Sequence, residues 1–232
     1  MKLAIMQPYI FPYIGYYQLI SAVDKFVIYD DVNFISKGWI NRNNLLVGNK
    51  SHLFTIPLRE ASQNRLIRDI RLIDEEGWKH KLLKTVEQSY KKAPFFPSVF
   101  PMIGSVLFSG VAHIGELASI SLRTVSDYLG LRTEFVASSA VYDNSHLKAQ
   151  QRILDICRIE KADHYINPVG GMEIYSRELF ADAGIRLNFL RSKADRYRQA
   201  DGVFVPNLSM IDVLMFNEKE TIGRMLQSYE LI

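Results

Sequence analysis

Two adjacent carboxylates, Asp30 and Asp31, close an apolar run that begins at Lys25. Neighbouring residues of a strand send their side chains to opposite faces, so one of the pair can meet a ligand as a base, a metal ligand or a hydroxyl acceptor. Turn formation or helix capping in the next loop is the structural alternative. Upstream, Gln7, Tyr9 and Tyr13 belong to a loop rich in aromatic residues and proline. Aromatic faces wall sugars and bases well, although the same residues also suit a rigid corner over a core. The loop has neither the GxGxxG nor the Walker pattern, so no backbone phosphate cradle is expected there.

Three further groups carry chemistry. Lys37, Asn41 and Arg42 follow the carboxylates, beside Trp39. The Arg42 guanidinium offers a two-pronged grip on phosphate or carboxylate, unless the loop is merely solvated. Asn167, Gly170 and Gly171 lie between a strand and a helix, where backbone N–H groups can receive an anion or an oxyanion; tight turns use glycine as well. Tyr197, Arg198 and Gln199 follow Arg191, Lys193 and Arg196, the densest basic cluster, which suits either a pyrophosphate or a solvated loop. Ser209 and Asp212 fit a helix cap and first turn. The histidines have no ligand spacing to one another or to cysteine, so no metal site is expected. His80 reads as solvated, and Cys157, in the apolar segment ILDICRI, as a core residue rather than a nucleophile.

Elements must bring these residues together. Strands are expected at residues 2–7, 25–30, 52–58, 67–73, 133–138, 164–167 and 185–190, and helices at 14–22, 146–159, 173–183 and 210–217. Trp78, Leu82, Val86 and Tyr90 recur at four-residue steps and form the stripe of a helix over 77–92. Helices at 98–108 and 113–129 follow it. Strands alternating with helices imply an α/β fold with a mainly parallel sheet, flanking helices and an inserted helical block. The chain is expected to form one α/β domain over 1–232, with 77–130 as an insertion or lid. In such a sheet the ligand crevice lies beyond the carboxyl ends of the strands, where Gln7, Asp30 and Asp31 fall.

Composition narrows the function. Of 232 residues, 48% are hydrophobic and 23% charged, which suits a folded protein. A net charge of +3 fits an anionic small molecule but is too small and scattered for nucleic acid. A single cysteine excludes an internal disulfide and makes a reducing compartment the default. No apolar run is long enough for a membrane span, and the apolar start meets Pro8 too early for a signal-peptide core. A cytoplasmic protein is therefore expected.

The segments QPYIFPYIGYY, DKFVIYDDVNF, WINRN, YKKAPFF and PNLSMIDVLMF resemble the WbqC-like family nearly end to end. Motif positions include Gln7, Tyr9, Gly15, Asp30, Asp31, Asn41, Arg42, Tyr90, Tyr165, Tyr197, Gln199, Ser209 and Asp212. The chain departs from the family pattern at Leu82, where histidine is common, and at Pro168. The resemblance implies a part in bacterial surface-polysaccharide (O-antigen) biosynthesis, with aminoacyl or glycyl transfer to an amino sugar. In that chemistry Asp30 or Asp31 would be the base, and Asn41 or the Gly170-Gly171 backbone would serve the oxyanion. Arg42 and Arg198 would hold the phosphates of a nucleotide-linked amino sugar. The acyl-transfer chemistry that the resemblance implies requires no cofactor, and a thioester on an acyl or peptidyl carrier protein would serve as the donor. The alternatives are a nucleotidyltransferase of the HIGH type, whose first-loop histidines are missing here, and a non-catalytic module that binds a nucleotide sugar or carrier protein.

Overall fold

The computed structural model describes residues 1–193, 196–200 and 202–232. Its centre is a six-stranded sheet. Strands β1 (Lys2–Met6), β2 (Lys25–Ile28), β7 (Glu134–Val136), β8 (His164–Pro168) and β9 (Arg186–Ser192) run parallel, and β10 (Tyr229–Leu231) pairs antiparallel to β9. The order is β10-β9-β8-β1-β2-β7. The inner strands are apolar on both faces, as strands covered by helices on each side must be. Ala4, Phe26, Ile28 and Ile166 join one core, and Leu3, Ile5, Val27 and Tyr165 join the other. This is an α/β fold.

From β1 the chain steps outward through β2 to β7, then returns to the far side of β1 for β8 and β9. The direction of winding therefore reverses between β1 and β8, the usual place for a crevice at the carboxyl edge of a parallel sheet. Helix α1 (Ile14–Ala22) follows β1, while α5 (Ala149–Ile159) and α6 (Arg177–Asp182) flank β8. Helices α2 (Gly77–Tyr90), α3 (Phe96–Leu107) and α4 (Ile114–Leu129) contribute Val86, Tyr90, Ile103 and Leu122 to the same core as Ala4 and Phe26. No helix among the described residues is long and apolar enough to cross a membrane.

Several local expectations change. The sequence reads as a loop over 33–44, but Arg42–Val47 forms β3, paired antiparallel with β4 (Lys50–Thr55) through the two-residue turn Gly48-Asn49. Both turn residues have positive φ, 56° and 59°, matching the twist of a tight hairpin. The strand expected at 52–58 thus starts earlier and stops at Thr55, and Leu58–Arg59 forms the short β5. Over 67–73 only Arg71–Leu72 is a strand, β6; Ile67–Asp69 is a 3₁₀ turn that buries Ile67 and Ile70 three residues apart. Helix α5 begins at Ala149 rather than 146, because Asn144 uses its side chain on Arg152 and Asp155 instead of capping a helix. Helix α6 begins at Arg177, where the Ser176 hydroxyl accepts from Leu179 N–H. After α7 (Met210–Phe216), α8 (Lys219–Leu226) and β10 complete the chain beyond the last expected helix.

The loop after β1 is held from beneath. Phe11 N–H donates to Ser121 Oγ at 3.1 Å, and that hydroxyl donates to the Ala118 carbonyl at 2.7 Å. Phe11 and Ser121 are fully buried. Replacing Ser121 by alanine strands a buried amide, so a loss of about 1–3 kcal/mol is expected in urea unfolding. A change below about 0.5 kcal/mol would mean that the loop finds its support elsewhere.

Candidate functional site

Asp30 and Asp31 extend β2 beyond its last paired residue, next to the end of β7. As expected, their side chains diverge, and two serines at the end of β7 meet them. Ser138 Oγ donates to Asp30 Oδ1 at 2.6 Å, and Ser139 Oγ donates to Asp31 Oδ1. Both carboxylates are buried. Their remaining partners differ. Asp31 Oδ2 forms a buried ion pair with the Arg152 guanidinium from α5 at 2.5 Å. Arg152 is also fixed by Asn144 Oδ1 at 2.9 Å and lies over the Tyr29 ring, 4.9 Å from its centroid. Among the described residues, no cation meets Asp30. Burial pushes its carboxyl above the ordinary aspartate range, against the pull of the Ser138 hydroxyl.

A cavity of about 570 Å³ opens beyond the carboxyl ends of β2 and β7. Tyr29, Asp31 and Arg152 line its inner part, while Arg68, Ser145 and Lys148 bring polar and cationic groups to its rim. Another cavity, of about 440 Å³, is lined by Lys2, Asp24, Asp163 and His164 at the opposite, amino edge of the sheet. That edge lacks the Asp30–Asp31 pair.

The aromatic loop forms a second group. Tyr9 packs edge-on against Tyr16 with centroids 6.0 Å apart and tilts over Trp39 at 6.2 Å. Burial raises the Tyr9 phenol well above its usual range, Tyr13 adds to this, and Arg42 acts against it. Tyr9, Tyr13 and Arg42 are therefore neighbours. A Cβ on Gly15 would meet the Tyr13 ring at 2.4 Å, so glycine is what lets that ring lie down. Arg42 donates from Nε to the Gly38 carbonyl at 2.7 Å and stacks on Trp39. Gln7 accepts the Tyr16 hydroxyl on its backbone carbonyl at 2.6 Å.

The other expected residues have more local partners. Asn41 donates its side-chain amide to the Ile56 carbonyl at 2.8 Å, tying the start of the hairpin. Lys37 is exposed in a left-handed turn, with φ 60°. Asn167 donates to the Tyr165 hydroxyl at 2.8 Å, and its Oδ1 would lie 2.3 Å from a Cβ on Gly171. Gly171 is thus required by the close approach of Asn167, whereas Gly170 faces open space. Arg198 is exposed. Tyr197 and Gln199 instead turn inward onto Asp212, which is fully buried in the first turn of α7. Its carboxylate accepts from Tyr197 at 2.6 Å, Gln199 at 2.8 Å and Tyr90 at 3.0 Å. Burial raises its carboxyl, and those three donors partly offset the rise. Cys157 is fully buried and its thiol is pushed up to about 12, as a core residue requires. His80 is exposed and tilts over the Phe108 ring at 5.0 Å.

Sequence reasoning missed Tyr29, Ser138, Ser139 and Arg152. Arg152 did leave a signal: a charged residue four before Ile156, on the face of α5 that is otherwise apolar. Among the described residues, no three His, Cys, Asp or Glu side chains gather as a metal site would need.

The family model described as the WbqC-like protein family matches residues 7–224. An uncharacterized protein of Mycobacterium tuberculosis, Rv1507c, is 28% identical over 219 residues, which cover 93% of each chain. No solved structure matches the chain.

The buried ion pair yields a test. Arg152→Met leaves the Asp31 carboxylate buried with a hydroxyl as its remaining partner, and about 3–5 kcal/mol of stability should be lost. Combining it with Asp31→Leu should recover part of that loss. A double-mutant cycle in urea measures the coupling, and strictly additive losses would disprove it.

Proposed function

The chain belongs to the WbqC-like protein family, and from that premise we propose that it is a cytoplasmic acyltransferase of surface-polysaccharide (O-antigen) biosynthesis. It moves an aminoacyl group, glycyl in the simplest case, from a thioester to the amine of a nucleotide-linked amino sugar. The observation that supports this reading is the unlike pair of carboxylates at the end of β2, of which Asp31 lines a cavity of about 570 Å³ and Asp30 diverges from it on the neighbouring face of the strand. Asp31 is matched by a cation and fixes the strand end against α5. Asp30, met by hydroxyl and backbone donors and raised by burial, has the character of a general base.

The sugar amine reaches the carboxyl edge of the sheet as an ammonium ion, and Asp30, next to the cavity's Asp31, takes its proton. The free amine attacks the thioester carbonyl. A C–N bond forms, the C–S bond breaks, and the thiolate leaves to take up a proton. Arg68 and Lys148 at the rim face the diphosphate, and the Tyr29 ring walls the sugar or the base. In the same reading Tyr9, Tyr13 and Arg42 form the wall toward β1, with Gln7 at its foot and Asn41 behind it. The backbone at Gly170-Gly171, beyond β8, stands on the other side of the point where the winding reverses. Arg198 and Lys37 remain as outer cations for the phosphates.

The assay uses the glycyl thioester of N-acetylcysteamine and a uridine diphosphate-linked amino sugar. Asp30→Asn should lower kcat by about 10²–10⁴-fold while the fold persists. A base works deprotonated. With its carboxyl raised, the rate should climb with pH through a limb above the ordinary aspartate range, and the variant should lose that limb. If Asp30→Asn and Asp31→Asn both leave transfer intact at saturating donor, the acyltransferase reading fails. Tight binding of the sugar nucleotide without turnover would favour a non-catalytic module instead.

A further inference from the structure

Helix α2 and the turn that follows it carry more positive charge than the chain as a whole. Residues 77–92 hold five lysines (Lys79, Lys81, Lys84, Lys91 and Lys92) against one glutamate, Glu87, a local charge of +4 beside +3 for the entire protein. Lys79 pairs with Glu76 at 3.6 Å and lies over the Trp78 and Phe108 rings. The ion pairs among the described residues include none of Lys81, Lys84, Lys91 and Lys92, all of which are exposed. Lys81 and Lys84, three apart on the helix, are neighbours of like charge and repel at a few tenths of a kcal/mol. A partner of opposite sign would relieve that cost.

Beside this row runs a trough between α2 and the β3–β4 hairpin. Two cavities make it, of about 280 and 380 Å³, and Thr85 lines both. Leu53, Phe54, Pro57, Trp78 and Leu82 line the first, and Leu46, Val47 and Gln88 lie along the second. Leu53 is 46% exposed although it sits in a strand. An apolar floor beside unmatched lysines fits an amphipathic acidic helix, with its apolar side in the trough and its carboxylates on the lysines. A nucleic acid would match the lysines but would leave that floor uncovered.

The hairpin connects the trough to the proposed site. Arg42 at the start of β3 stacks on Trp39 in the aromatic wall, and Val47 at its other end lines the trough. The trough runs along the hairpin from Thr55, the strand partner of Arg42, to the turn beyond Val47, roughly 17–20 Å at about 3.3 Å per residue. A partner docked along it therefore lies beside the aromatic wall, where a flexible prosthetic arm can enter.

We propose that the trough between α2 and β4 docks an acidic helix of the carrier protein whose phosphopantetheine thioester supplies the acyl group. The proposal rests on the acyl-transfer reading for its chemistry, but its test does not. The probe is a holo acyl carrier protein with its arm capped as a stable amide, measured by fluorescence anisotropy at low salt. Binding to the wild-type protein should weaken at least about tenfold in Lys81→Glu/Lys84→Glu and should survive in Lys81→Arg/Lys84→Arg. Leu53→Asp should weaken binding without changing the charge of α2. An absence of binding by the wild type, indifference to the charge reversals, or equal competition by a DNA duplex would overturn the proposal. Transfer from the small N-acetylcysteamine donor needs no docking and should be unchanged in these variants. Loss of transfer with that donor in the wild type condemns the chemistry and leaves the docking to be judged on binding alone.

Discussion

The buried ion pair between Asp31 and Arg152 is the constraint around which the carboxyl edge of the sheet is arranged. Two charges removed from water remain charged only where each is matched and its other hydrogen-bonding groups are filled. Ser139 fills one side of the carboxylate, Asn144 one side of the guanidinium, and Tyr29 covers the cation's face. Asn144 is in turn oriented by Asp155. The end of β2, the turn after β7 and the start of α5 are thereby fixed in one geometry. The cavity between them is preformed to that extent, and beside it Asp30 is held by hydroxyl and backbone donors instead.

A second buried carboxylate solves the same problem with neutral donors. Asp212 is reached by two phenols and an amide, from α2 and the loop before α7. Tyr90 also accepts the Leu46 amide at 2.8 Å, so the cluster reaches into β3. This arrangement holds elements that the sheet itself does not touch. The β3–β4 hairpin is outside the main sheet and is pinned at three places: Asn43 to the Phe11 carbonyl, Leu46 to Tyr90, and Asn44 O to Ser209 N–H. The aromatic loop, the hairpin and α7 therefore form one block through polar contacts laid over an apolar core.

What the sequence disclosed follows from the range of the interactions involved. Short apolar runs closed by polar residues identify β1, β2 and β8, because buried parallel strands are apolar on both faces. The stripe Trp78-Leu82-Val86-Tyr90 identifies α2, and Ser209 identifies the start of α7, where it accepts from Ile211 N–H. These are local signals. The hairpin was hidden because Arg42, Asn43 and Asn44 open β3 with polar residues, one of them buried to hold the neighbouring loop. The Gly48-Asn49 turn was the available clue. Ile67 to Ile73 alternates as a strand would, yet burial three residues apart at Ile67 and Ile70 follows a 3₁₀ turn. At the site, Asp30 and Asp31 were visible at their strand end. Their partners Ser138, Ser139 and Arg152 lie more than a hundred residues away, and only the winding of the sheet brings them near. Tyr197 and Gln199 stood out as polar residues with a ligand in view, and the structure turns both onto Asp212.

Cys157 lies on the same helix as Arg152, with its face against the sheet, and it is the chain's single thiol. A thiol held near 12 and shut away from water is inert toward alkylating reagents while the fold is closed. It becomes reactive when α5 lifts from the sheet, and the same motion separates Arg152 from Asp31. The chain thus carries a built-in chemical clock: the rate at which its cysteine is modified in the native state reports how often this edge of the molecule opens.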